Sequence, residues 1–149
     1  MNAPTTLYKF DDRNVRWYPL VDHIEFSMVA VDDDRRMAEF LARFAARQRI
    51  VLHKHLAQTN ILVIAGEHRI YHPDGSLKEI RPVGSYTASA PGGPPHYEGG
   101  GDEDCVVLYS VRAGEEDVCF EIMDADQNVV ATLGLAEFKA FWHAQQSAA

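Results

Sequence analysis

Cysteine is scarce in this chain of 149 residues: only Cys105 and Cys119 are present. Two cysteines without paired spacing supply neither a disulfide framework nor a cysteine zinc site. Each sits among apolar neighbours, Val106-Val107 after the first and Val118 and Phe120 around the second, which reads as two buried reduced thiols. Positive charge is also in short supply, with 14 Lys and Arg against 22 Asp and Glu and a net charge of −8. No basic stripe concentrates what there is, so nucleic-acid binding is excluded as a class. The acidic balance reads as a solvated surface. No apolar run approaches the ~20 residues that span a bilayer. The opening Met-Asn-Ala-Pro-Thr-Thr lacks the basic start and apolar stretch of a secretory signal, so a cytoplasmic protein without membrane contact is expected. Repeats, low-complexity tracts and composition breaks are missing too, and residues 1–149 are expected to form one domain.

Against these absences stands a succession of short segments with the two-residue period of strands. Residues 23–31 alternate and then turn apolar, and Asp32-Asp33-Asp34 marks a turn. Residues 50–53 and 60–65 are β-branched and apolar, the second ending at Gly66. His68 to Ile80 reads as a hairpin turned by Pro73-Asp74-Gly75-Ser76. Then come a strand over 84–90, a Gly/Pro cluster at 91–95, and an apolar strand over 106–111. A second hairpin runs 118–123 and 129–133, turned at 124–128 and closed by Gly134. Leu135, Phe138, Phe141 and Trp142 have helical spacing, which predicts a terminal helix over about 135–146. Residues 35–48 are rich in Ala and Arg and have helical propensity. Ala38, Phe40, Ala42 and Phe44 nevertheless alternate with Glu39 and Arg43, which predicts a strand over 37–44. Gly99-Gly100-Gly101-Asp102-Glu103-Asp104 reads as a flexible acidic loop. The expected class is all-β, an antiparallel barrel or sandwich with one short C-terminal helix.

The chemistry-bearing feature is Val51-Leu52-His53-Lys54-His55. On a strand, imidazoles at i and i+2 face the same side, ~7 Å apart along the chain, and make half of a metal site. Imidazole suits Zn, Fe, Cu or Ni. Gly66 lies 11 residues beyond His55, and Gly84, Pro91, Gly93 and His96 follow in turn. This arrangement resembles the two sequence motifs of the cupin superfamily, His-x-His with a downstream Gly, then Gly…Pro-x-Gly-(two)-His. The resemblance implies a cupin-type antiparallel β-barrel (jelly roll) with its metal-binding core over about 37–133. It also implies one divalent metal ion held by His53, His55 and His96. Arg47 replaces the glycine that opens the first motif, and Thr59 stands at its usual glutamate position. A three-histidine site without a carboxylate is therefore expected.

A narrower resemblance, over about the last two-thirds of the chain, is to the acetylacetone dioxygenase (β-diketone-cleaving) group of small bacterial, RmlC-like cupins. It includes Asp124-Ala125-Asp126-Gln127-Asn128-Val129-Val130-Ala131-Thr132-Leu133-Gly134 ahead of the aromatic helix. This implies Fe(II), with Zn(II) or Ni(II) as alternatives, and an iron dioxygenase that cleaves a carbon–carbon bond with O2. Tyr71 and Ala88-Ser89-Ala90 take the places of that group's intermotif arginine and of the glutamate ahead of its third histidine. Three neutral imidazoles would leave the ion its full +2 charge, which favours an anionic, enolisable chelating substrate. Thr59, Ile61, Val63 and Tyr71 are the candidate pocket residues. His68 and His72 are expected to be surface imidazoles. A noncatalytic metal- or ligand-binding cupin and a metal-assisted hydrolase, isomerase or decarboxylase remain open alternatives. A homodimer or higher homo-oligomer is expected.

Overall fold

The computed structural model describes residues 10–11 and 13–148. Among these described residues twelve strands precede one helix: β1 (Tyr18–Val21), β2 (Ile24–Asp32), β3 (Met37–Phe44), β4 (His53–His55), β5 (Gln58–Ala65), β6 (His68–Tyr71), β7 (Leu77–Arg81), β8 (Tyr86–Ser89), β9 (Tyr97–Gly100), β10 (Cys105–Arg112), β11 (Val118–Met123), β12 (Val129–Gly134) and α1 (Leu135–Ser147). The strands pair antiparallel in a six-stranded sheet, β1-β2-β3-β10-β5-β8, and two three-stranded sheets, β12-β11-β4 and β7-β6-β9. Isolated bridges His53↔His96 and Arg49↔Gly99 join the two small sheets. The second layer of the jelly roll therefore runs β12-β11-β4-β9-β6-β7. The hydrogen-bond ladders form these sheets rather than one closed barrel.

Residues 37–44 form β3 and not a helix, because tertiary pairing overrides the Ala-rich propensity. The strand lies between β2 and β10, with Phe40 opposite Met28 and Tyr109. Its Ala38, Phe40, Ala42 and Phe44 are all buried, as their alternation predicts. The core continues through Ile61, Val63, Val107, Phe120 and Phe138. Phe40 stacks on Tyr109 at 4.8 Å and on Phe138 at 5.2 Å, so α1 closes one end of the core. The backbone N–H of Gly134 donates to Glu137 Oε2 at 3.0 Å and fixes the start of that helix. Gly66, with φ of +72°, turns β5 toward β6; a Cβ there would stand 2.4 Å from the Asp104 carbonyl oxygen.

The glycine run departs from the expected loop. Gly99 and Gly100 are buried strand residues of β9, and the side chain of Asp104 accepts the backbone N–H of Ala46 at 2.8 Å. Cys105 and Cys119 are free and buried. Burial pushes their thiols up to about 12 and about 11, so both stay protonated. No helix among the described residues is long and apolar enough to cross a membrane.

Candidate metal centre

His53 and His55 project from the same face of β4, and both are buried. The 91–95 turn brings His96 back to them through reciprocal backbone hydrogen bonds between His53 and His96, at 2.9 and 3.1 Å. The rings converge, with His96 centred 4.8 Å from both His53 and His55. A fourth group completes the cluster. Glu98 lies two residues beyond His96, on β9, and its carboxylate is almost wholly buried. One ligating atom from each of His53, His55, His96 and Glu98 can be chosen so that all lie within 4.8 Å of one another.

The expectation of a carboxylate-free site is thereby corrected. Thr59 is buried but turns its hydroxyl back to donate to the Ala57 carbonyl at 3.0 Å, outside the cluster. The carboxylate comes from the strand carrying the third histidine. His68 also departs from expectation. It is fully buried, stacked on Phe44 at 5.1 Å, with Nε2 2.8 Å from Glu98 Oε1, close but poorly aligned for a hydrogen bond. It faces inward because it shares a face with Ile70, whereas His72 lies in the exposed turn beyond β6. Tyr109 donates its hydroxyl to the same Glu98 oxygen at 2.9 Å. Sequence reasoning passed over Glu98 and the partners that hold it.

The donor chemistry suits a divalent cation. A carbonyl only accepts, so the 2.9 Å contact from His53 Nδ1 to the Val51 carbonyl places a proton on Nδ1 and turns Nε2 toward the cluster. His55 Nε2 and His96 Nε2 are buried nitrogens with no hydrogen-bond partner, 3.8 and 3.6 Å from Glu98 Oε2. Atoms that share one ion at 2.0–2.2 Å stand about 3–3.5 Å apart. The His55 and His96 nitrogens lie a little beyond that from Glu98, and His53 Nε2, at 2.6 Å, stands closer to it than two ligands of one ion would. Burial lowers His55 to about 4 and keeps it neutral, as a ligand must be. Burial opposes charge on His53, but the Glu98 carboxylate at 2.6 Å more than offsets it and raises its pKa. Burial would also favour protonated Glu98; the contacts from His53, His55 and His68 prevail and hold it well below the usual carboxylate range. Three imidazoles and an ionised carboxylate thus face one point, a candidate divalent metal site.

The cluster opens on one side to a cavity of about 220 Å³. Its walls include Ile61, Ile70, Lys78, Arg81, Ser89 and Pro94, with His55, His96 and Glu98 at its base. Of the sequence-derived pocket candidates only Ile61 is among them. Val63 is buried in the core, and Tyr71 packs against the Arg49 guanidinium at 5.1 Å. On the far side of His53 and Glu98 lies a second, apolar cavity of about 60 Å³ lined by Phe40, Ile50, Phe120 and Phe138.

No protein-family model matches the sequence, and no curated protein matches it at significance. Solved structures do match the fold. An acetylacetone dioxygenase from Acinetobacter johnsonii superposes with a TM-score of 0.72 at 14% identity, over 97% of this chain and 95% of that one. An RmlC-like cupin protein from Ralstonia eutropha gives 0.71 at 13%, over 95% and 88%. A candidate acetylacetone dioxygenase from Methylibium petroleiphilum gives 0.68 at 13%, over 95% and 99%. The chain has the cupin fold, in a form that resembles the dioxygenase group.

Proposed function

We propose that this protein is a metal-dependent dioxygenase, with Fe(II) as its metal, that uses O2 to cleave a carbon–carbon bond in a β-diketone or related enolisable keto compound. The observation that carries the reading is the buried His53-His55-His96-Glu98 cluster at the base of a small cavity. The fold shared with acetylacetone dioxygenase supports it. In this reading those four side chains hold the metal. Once bound, the ion supplies Lewis acidity toward the oxygens of an enolate and the redox capacity for oxygen chemistry.

The remaining work falls to the chain. The Val51 carbonyl fixes the His53 tautomer, and the Tyr109 hydroxyl holds one oxygen of Glu98, with His68 Nε2 beside it, while the other faces His53. Ile61 and Ile70 give the cavity an apolar wall that keeps water from the alkyl part of a substrate. The volume is below the roughly 300–1,000 Å³ of pockets that take drug-sized ligands, which suits a small diketone. Glu98 cancels one unit of the metal's charge, so attraction for an enolate draws also on Lys78 and Arg81 at the wall.

Elemental analysis of freshly purified protein, paired with an oxygen electrode and pentane-2,4-dione, tests this. Stoichiometric iron and oxygen uptake, both lost in His55→Ala and His96→Ala, are expected. Tight metal without oxygen uptake from any diketone would favour a ligand-binding cupin, and turnover without oxygen a hydrolase or isomerase. The reading includes a homodimer or higher homo-oligomer, which light scattering checks.

A further inference from the structure

The wall of the cavity carries two cations that the metal cluster does not use. Arg81 pairs with His68 across β6 and β7 and therefore faces inward. Two residues on the same strand, Glu79 is opposite Ile70, but the ladder then slips, and Tyr71 pairs with Leu77. Lys78 is the extra residue of this β-bulge. Three positions apart on a regular strand, Lys78 and Arg81 would point to opposite faces; the bulge re-aims Lys78, and both line the same cavity.

The hydrogen bonding of Arg81 is incomplete. Nη2 donates to Glu79 Oε2 at 3.0 Å, and Nη1 makes a long 3.4 Å contact with the Thr87 hydroxyl. Nε is shielded from solvent and has no partner. Buried donors in native proteins are rarely left unpaired, because desolvation without a hydrogen bond is costly. Glu79 is 44% exposed and takes only one of the guanidinium nitrogens. Lys78 has no carboxylate within ion-pair distance among the described residues, and Ser89 lines the same wall.

We infer that Lys78 and Arg81 form a carboxylate subsite, and that the substrate is an enolisable 1,3-dicarbonyl that itself carries a carboxylate, such as a 2,4-dioxo acid. The inference rests on the proposed function for the enolate half of that molecule and on the bulge and the unpaired guanidinium for its acid half. A planar guanidinium with an ammonium on the same cavity wall suits the flat, two-oxygen geometry of a carboxylate. The two cations also offset the charge that Glu98 brings to the cluster, so a dianion is accommodated where a neutral wall would admit only a monoanion.

The test compares 2,4-dioxopentanoate with its methyl ester, two ligands that share the enolisable dicarbonyl and differ in one charge. Binding to the metal-loaded protein is measured by calorimetry without oxygen, and oxygen uptake is measured separately with both ligands and with pentane-2,4-dione. The acid should bind at least about tenfold more tightly than the ester, the order expected of a charge-assisted hydrogen bond. In Lys78→Met and in Arg81→Gln that gap should narrow. Lys78 is exposed, so its variant reports even if the Arg81 variant folds poorly. Equal binding of acid and ester overturns the subsite. So does an acid preference that persists undiminished in both variants, which would assign the carboxylate to the metal. Oxygen uptake with pentane-2,4-dione but no acid preference leaves the dioxygenase reading standing alone. An acid preference that depends on Lys78 or Arg81, without oxygen uptake from any of the three compounds, keeps the subsite and removes the dioxygenase reading.

Discussion

Glu98 accepts the Tyr109 hydroxyl at Oε1, where His68 Nε2 also lies within 2.8 Å, and turns Oε2 toward His53. Such tethering fixes which oxygen faces the histidines, and losing a partner of this kind typically costs 10–100-fold in metal affinity. Tyr109→Phe should therefore weaken metal binding about tenfold and Glu98→Gln by more than about a hundredfold, while the exposed His72→Ala leaves it unchanged. Competition against a chromogenic chelator measures all three. A Glu98→Gln protein with parental affinity would remove the carboxylate from the ligand set. At this scale the sequence was only partly legible. His53 and His55 stand out because their i, i+2 spacing is a face of a strand. His96-Tyr97-Glu98 carries the same signal, but the glycines after it mask the strand. His68 is marked as inward by its alternation with the apolar Ile70, whereas His72 lies past the end of that strand.

The element that matters most is β9, whose glycines are a packing requirement. A Cβ on Gly99 would stand 2.0 Å from the Gln48 carbonyl oxygen, backbone that cannot yield as a side-chain tip can. The Arg49↔Gly99 bridge holds the two segments at this distance and so sets the depth of Glu98. Overpacking a core costs roughly 1–3 kcal/mol, and a backbone clash belongs at or above the top of that range. Gly99→Ala should accordingly lose about 3 kcal/mol in urea unfolding and lose metal with it. Gly114→Ala, with nothing within 4 Å of its Cβ, should stay near the parent. If the two variants were equally stable, β9 would not be seated by that contact. Other elements were legible where side-chain period and turn chemistry agreed. Both hairpins follow from their Asp/Gly/Asn turns, and β3 from the burial of every second residue against its Ala content. β9 was not, since low β-propensity says nothing of a strand selected for close approach.

At the scale of the whole molecule, the cluster ties folding to pH. In the metal-free protein His55 is buried and neutral with a pKa of about 4, whereas an unfolded histidine titrates near ~6.5. Between those values the unfolded chain holds one proton more at this residue, so stability falls as the pH falls from about 6.5 to about 4. His53 acts in the opposite sense. Its raised pKa gives stability that is fully present below ~6.5 and lost as the pH rises through the folded value, so it adds no slope in the acid window. Glu98, held well below the usual range, gives stability present above the unfolded glutamate value of ~4.3 and lost below it, so it joins only at the acid end. The urea midpoint of chelator-treated protein should therefore drop steadily from pH 6.5 to 4, His55 contributing up to about 1.4 kcal/mol per pH unit. Metal-loaded protein should be more stable at pH 7 and lose stability more steeply, because protons compete for the same nitrogens. His55→Asn keeps a polar side chain but removes the titrating ring, and its metal-free slope over this window should be shallower by that amount. An unchanged slope in that variant would place the acid sensitivity outside the cluster and contradict the burial of a neutral His55.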